Sequence, residues 1–258
     1  MRRRPGLALL LLAVTVMLAA SSTAAAGWSE RKQAAARYVE RRAGIESFVL
    51  MDDRGILRSY RGRMVVPSAS MFKAMLLVAY LNRPSVRGRA INDSDRALLR
   101  PMIRWSDNAT ATRVLGIVGS SALYRIANRA KFVHFRLRSP WGLTEITARD
   151  FARFFYRIDR RVPRRHRAYA LTLLNNIVAS QRWGIAPERP PGWRIYFKGG
   201  WGSGTGWVTH QAALLRNGPR RISLAVFTRY NPSHGYGTGT IRGVARRFLR
   251  TPLPLGPQ

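Results

Sequence analysis

Residues 68–81 read SASMFKAMLLVAYL. From Ala74 onward the stretch is apolar on every side, which predicts a helix buried all round rather than one lying on the surface. A lysine, Lys73, stands at its edge. The chain holds 45 Lys plus Arg, yet only four of these are lysines, at 32, 73, 131 and 198. Where this protein needs a positive charge it uses arginine, which keeps its proton; a lysine in an apolar site can lose it. Lys73 is therefore a candidate base. Ser70 lies three residues earlier, one turn away on the same helix face. A helix N-terminus favours an alkoxide or oxyanion. Apolar surroundings lower the amine pKa and let it take the serine proton. The competing reading is a capping serine beside a lysine that snorkels to water.

Working outward, SERKQAAARYVERRAG has helical period, with Ser29 as its cap and Gly44 as its stop. IESFVLMDD, a turn at Asp53–Gly55 and ILRSYRGRMVV read as a β-hairpin. Asp52 and Asp53 are adjacent, so in a strand they would point to opposite faces, and a turn role suits them better than an acid pair. From Ser70 to about Ser180 the signals are mostly helical, punctuated by Pro84, INDSD, SDN, Gly116, Gly119 and SPWG. Thr147 caps a helix over TARDFARFF. RIYFKGG, THQAALL and RISLAVFTRY then read as three strands joined by turns, and GTIRGVARRFL as a closing helix. The order predicts one α/β lobe from residues 27–66 and 190–250, with an all-helical lobe, 67–189, inserted between.

The 258 residues suffice for one sizeable core. There is no cysteine, hence no disulfide and no thiolate nucleophile. Arg2–Arg4, the apolar run LALLLLAVTVMLAA and the small residues of STAAAG read as a secretory signal over residues 1–26, which places the protein outside the cell or in its envelope; an uncleaved anchor is the alternative. The net charge is +33, or +30 without the three signal arginines (33 − 3). That predicts non-specific attraction to anionic wall polymer or lipid. The arginines form no nucleic-acid-binding motif. The histidines, at 134, 166, 210 and 234, lack metal-ligand spacing, so neither metal nor cofactor is expected. No G-x-S-x-G elbow is present.

Two further short motifs complete a set. Ser106-Asp107-Asn108 follows 33 residues after Lys73, and Lys198-Gly199-Gly200 ends a late strand. Each alone is explained by a helix cap or a solvated lysine. Together with Ser70-x-x-Lys73, in this order and context, they resemble the active-site set of class A β-lactamases and penicillin-binding proteins. Two of the four lysines fall on the set's two lysine positions. The resemblance implies a five-stranded antiparallel sheet flanked by helices, a monomer, and a serine hydrolase acting on β-lactams or on the D-Ala-D-Ala peptides they mimic. By the same resemblance Ser70 is the acylated nucleophile and Lys73 its base. Ser106 relays a proton to the leaving nitrogen. Asn108 bonds the substrate's acylamide, and Lys198 holds Ser106 and attracts the substrate carboxylate. The backbone N–H groups of Ser70 and Trp201 form the oxyanion hole, beside Gly200. A D-Ala-D-Ala peptidase is the alternative enzyme; a non-catalytic binder of wall polymer is the alternative outside catalysis.

Two departures stand out. The family's Lys-Thr/Ser-Gly has a hydroxyl in its middle; here that residue is Gly199, with Ser203 or Thr205 as substitutes unless WGSGTG is a plain turn. The family's omega loop carries a glutamate that activates the deacylating water; here AKFVHFRLRSPWGL holds no acid. The nearest carboxylate, Glu145, falls after the loop, where a solvated or capping role is expected. Trp201 and Trp207 either wall a cleft or join the core.

Overall fold

A computed structural model describes residues 27–255; the expected signal, residues 1–26, lies outside them. Among the described residues no helix is long and apolar enough to cross a membrane. Helix α1 (Trp28–Val39) leads into strands β1 (Ile45–Met51) and β2 (Leu57–Tyr60). After the short β3 (Val65–Pro67) come helices α2 (Phe72–Leu81), α3 (Pro84–Arg87), α4 (Asp93–Arg104) and α5 (Asn108–Arg129). Strand β4 (Glu145–Thr147), α6 (Ala148–Tyr156) and α7 (Arg167–Asn175) follow. The chain closes with β5 (Arg194–Gly202), β6 (Val208–Asn217), β7 (Arg220–Arg229) and α8 (His234–Leu249).

Five strands form one antiparallel sheet in the order β2-β1-β7-β6-β5, so the last three strands join the first hairpin as expected. Helices α1 and α8 cover one face, where Phe248 meets Phe48 edge-on at 5.5 Å. On the other face lies α6. Thr147 caps it by accepting from Asp150 N–H, and its phenylalanines reach the sheet, Phe151 lying 5.9 Å from Phe227. This helix belongs to the stretch 67–189 but packs on the strands, because its apolar side has a sheet to bury against. Helix α7 packs on α4 and β5, while α3, α4 and α5 gather around α2, all ten of whose residues are buried. That is why its sequence shows no polar side.

Three local readings are corrected. Gly27, not Ser29, caps α1, its own N–H donating to Glu30 Oε2 at 2.9 Å. The helix ends at Val39, and Gly44 lies five residues later at φ +105°, at the entry to β1. The second arm of the hairpin stops at Tyr60, because Arg61 at φ 47° turns the chain. MVV therefore leaves the main sheet, and β3 pairs with β4 in a separate two-stranded sheet. Asp52 keeps the expected turn role, its Oδ1 accepting from the N–H groups of Arg54 and Ile56.

Candidate active site

A single 3-10 turn, Ala69–Met71, carries Ser70 into α2. Ala69 has φ 42°, a left-handed conformation that costs a non-glycine residue energy. The turn is pinned from outside, Ser68 N–H donating to Thr144 O at 2.7 Å. Strand β5 passes so close that a Cβ on Gly200 would lie 2.9 Å from Ser70 N and 2.7 Å from Met71 N. Only glycine lets the strand and the serine turn meet. Ser106 also sits at positive φ, 60°, just before α5, whose cap is Asp107 accepting from Thr110 N–H. That turn aims both oxygens of Ser106 at Lys73.

Lys73 Nζ is fully buried, 3.0 Å from Ser70 Oγ, 3.1 Å from Ser106 Oγ and 2.7 Å from Asn108 Oδ1, with Ser106 O also bonded to it. An ammonium has three protons and no lone pair. Here it faces four acceptor atoms. The neutral amine can donate to Asn108 and Ser106 O and turn its lone pair to the Ser70 hydroxyl. Burial brings its pKa down to about 7, opposed by the charge of Asp107. Lys198 Nζ is also fully buried, 3.0 Å from Ser106 Oγ and 2.6 Å from Gly199 O. Burial, and then the charge of Lys73, hold its pKa well below the usual lysine range. Two amines sharing one hydroxyl oppose each other's charge, so the pair sheds a proton readily.

Ser70, Lys73, Ser106, Asn108, Lys198 and Gly200 thus converge from three separated parts of the chain, with Trp201 next along β5. Thr205 and Ser203 are on the β5–β6 turn. Thr205 Oγ1 donates to Gly202 O at 3.1 Å and its methyl faces the Cβ position of Gly142 at 3.9 Å, while Ser203 is exposed. Trp201 is half-buried and Trp207 exposed, and both line a cavity of about 210 Å³ with His234.

Glu145 is not a cap but a partly exposed carboxylate held in ion pairs. It lies in β4 opposite Pro67 and bonds His134 Nε2 at 2.8 Å and Arg138 Nε at 2.8 Å. These bonds, the arginine's first, hold its carboxyl below the usual range. On the loop side of Ser70 stands an aromatic ring instead: Trp141 stacks on Phe72 at 6.1 Å, and Lys73 Nζ is 5.1 Å from its centroid. No carboxylate is bonded to Ser70 or Lys73 among the described residues.

Two residues the sequence reading missed are Trp141 and Trp183. A Cβ on Gly199 would lie 2.9 Å from Trp183 Cη2 and Cζ2. The indole occupies the space into which a side chain at 199 would grow, and it meets Trp201 edge-on at 5.9 Å and His234 at 5.2 Å. The glycine in mid-motif was the available signal; which ring filled the space was not encoded nearby. Gly199→Thr should therefore destabilise the fold by about 1–3 kcal/mol, as overpacking does. Added to Trp183→Ala, the same substitution should cost less. Urea unfolding of the four proteins in the cycle measures this, and strict additivity would show that the ring does not hold that space.

The match to known proteins follows this geometry. The model of the β-lactamase enzyme family, Beta-lactamase2, matches residues 93–251. The chain belongs to that family. The matched range contains Ser106, Lys198 and Gly200; Ser70 and Lys73 precede it. None of the curated proteins searched matches the chain. Among solved structures, the fold is similar to a β-lactamase from Sphaerobacter thermophilus (19% identity, 86% of this chain and 96% of that one, TM-score 0.73). It is also similar to a β-lactamase from Xanthomonas campestris pv. campestris (15% identity, 86% and 98%, TM-score 0.74). A third is an ancestral class A β-lactamase (20% identity, 84% and 98%, TM-score 0.72). At these identities the likeness is one of fold. Family and fold together make this a protein of the serine β-lactamase type, with the expected five-stranded antiparallel sheet.

Proposed function

We propose that this protein is an exported serine hydrolase that is acylated on Ser70 by β-lactams and releases the acyl group slowly. The observation that carries the reading is the buried Lys73 amine, 3.0 Å from Ser70 Oγ and with a pKa near 7. Neutral Lys73 accepts the Ser70 proton as Oγ attacks the lactam carbonyl carbon. The carbonyl oxygen gains the negative charge, which the Ser70 and Trp201 N–H groups would stabilise. When the tetrahedral species collapses, the C–N bond breaks and the nitrogen takes a proton from the Ser106 hydroxyl. Lys73, 3.1 Å from Ser106 Oγ, returns its proton there. Asn108 and Lys198 bind the substrate's amide and carboxylate. No cofactor enters these steps.

Hydrolysis of the acyl-enzyme needs a water and a base on its exposed side. The omega loop supplies no acid, Glu145 is committed to Arg138 and His134, and Trp141 stands beside Lys73. A positioned base is worth about 10² to 10⁴ in rate. A chromogenic cephalosporin should therefore give a burst near one equivalent, then a shallow steady state, with the acyl-enzyme visible by intact mass. Turnover without a burst would mean that another base operates, and Glu145→Gln would be the first variant to test. The D-Ala-D-Ala peptidase reading shares every acylation step, and the lack of a hydrolytic carboxylate favours it over rapid β-lactam hydrolysis. Export rests on residues 1–26 of the sequence.

A further inference from the structure

Two adjoining cavities open at the far end of α2 from Ser70. One, about 320 Å³, is bounded by Val78 of the last helical turn, by Asn82 just after it and by Arg87. The other, about 440 Å³, takes in Lys131, Arg153 and Arg157. Arg129, Arg160 and Arg161 line both. Seven cations thus face two hollows that share three lining arginines and whose linings contain no Asp or Glu. None of the seven forms an ion pair among the described residues. Asp150, which attracts Arg153 at a distance, is occupied by the N–H groups of Val133 and His134 and by Thr147. Elsewhere in the fold, partly buried cations do find acids: Arg221 and Arg216 share Asp159, and Arg89 holds Asp95.

Arg161 is the centre of this cluster. It is half-buried, its guanidinium lies 5.5 Å from the Phe154 ring, and its Nε donates only to Phe154 O, at 3.4 Å. Burial, and then repulsion from Arg157, bring its pKa down to about 10. Holding like charges together without a counter-ion costs stability, and nothing in the acylation site requires it. Arginine forks present paired donors that match phosphate oxygens two at a time. One anion fits one hollow; two hollows sharing three arginines fit linked anions.

From this geometry we infer a binding site for a ligand carrying two or more linked phosphate groups, seated across the two arginine-lined cavities. Ser70 lies in the turn just before α2 and Asn82 follows its last residue, so about 15 Å of helix separates this site from the nucleophile. A bound polyphosphate leaves the acylation cleft open.

The test uses inorganic tripolyphosphate and orthophosphate as probes, measured calorimetrically on the protein at 0.15 M salt. Arg129 and Arg160 are both exposed, so replacing them leaves the core intact. Arg129→Gln/Arg160→Gln should weaken tripolyphosphate binding about tenfold or more, the scale of losing charge-assisted hydrogen bonds. The control Arg37→Gln/Arg41→Gln removes the same charge from two exposed positions, one on α1 and one just after it, and should change binding less than threefold. Orthophosphate should bind the parent much more weakly than tripolyphosphate. Equal losses in the two double variants would reduce the effect to the overall charge and overturn the site. So would equal affinity for the two probes. Vesicles of phosphatidylglycerol, with one phosphate per headgroup, should bind the cavity variant and the control alike. A cavity variant that loses vesicle binding but keeps tripolyphosphate would reassign the hollows to a lipid surface and overturn the proposal.

Discussion

Ser70→Ala should give no covalent adduct with any penicillin while the melting temperature stays near that of the parent. The serine hydroxyl meets Lys73 and is otherwise only half-buried, so its loss leaves no cavity in the core. What it removes is the hydroxyl held in the turn before α2 and within hydrogen-bond reach of the Lys73 amine. Without that oxygen no acyl-enzyme forms, and the effect on labelling is total rather than graded. Intact mass after incubation reads it directly. An adduct that persists and maps by peptide analysis to Ser106 or Ser203 would move the nucleophile and with it the whole assignment.

Lys73→Arg keeps the positive charge and removes the ability to accept a proton. Acylation should fall by about 10² or more, the usual effect of losing a general base. The pH dependence separates this from a packing effect. The amine is active when neutral and its pKa is lowered to about 7, so the parent's acylation rate should climb as pH rises through 7 and level off above it. The arginine variant should lose that rise. Lys32→Arg, on α1, should change neither rate nor profile. If Lys73→Arg acylates at near the parent rate with the same rise, the base is another group, and Lys198, 3.0 Å from Ser106 Oγ, is next in line.

These two expectations differ in what made them visible. Ser70 and Lys73 are three residues apart, and a helix turns that spacing into proximity whatever surrounds it. The scarcity of lysine in an arginine-rich chain marked Lys73 further. The three late strands, the Thr147 cap and the Lys198-Gly199-Gly200 strand end were legible for the same reason: each depends on periodicity or chemistry within a few neighbouring residues. Where a local signal competed with an equivalent one nearby, the reading slipped. Ser29 is a good cap by type, but Gly27 holds the position because the chain is already helical at Trp28. The residues after Tyr60 continue a strand pattern, but the turn at Arg61 sends them to a second sheet.

The sequence by itself determined the order of the five main-sheet strands along the chain, the fully buried α2 and the residues that could do acyl-transfer chemistry. Only the tertiary structure decided what state those residues are in. The Lys73 amine has a lowered pKa because the surrounding core, with Ser106 and Asn108 from 33 and 35 positions away, removes it from water. Trp183 fills the space beside Gly199, Trp141 takes the loop side of the site, and Arg138 and His134 commit Glu145. Seven scattered basic residues become two cavities without a carboxylate. Desolvation, ring packing and ion pairing depend on distances through space, and a sequence records distance only along the chain.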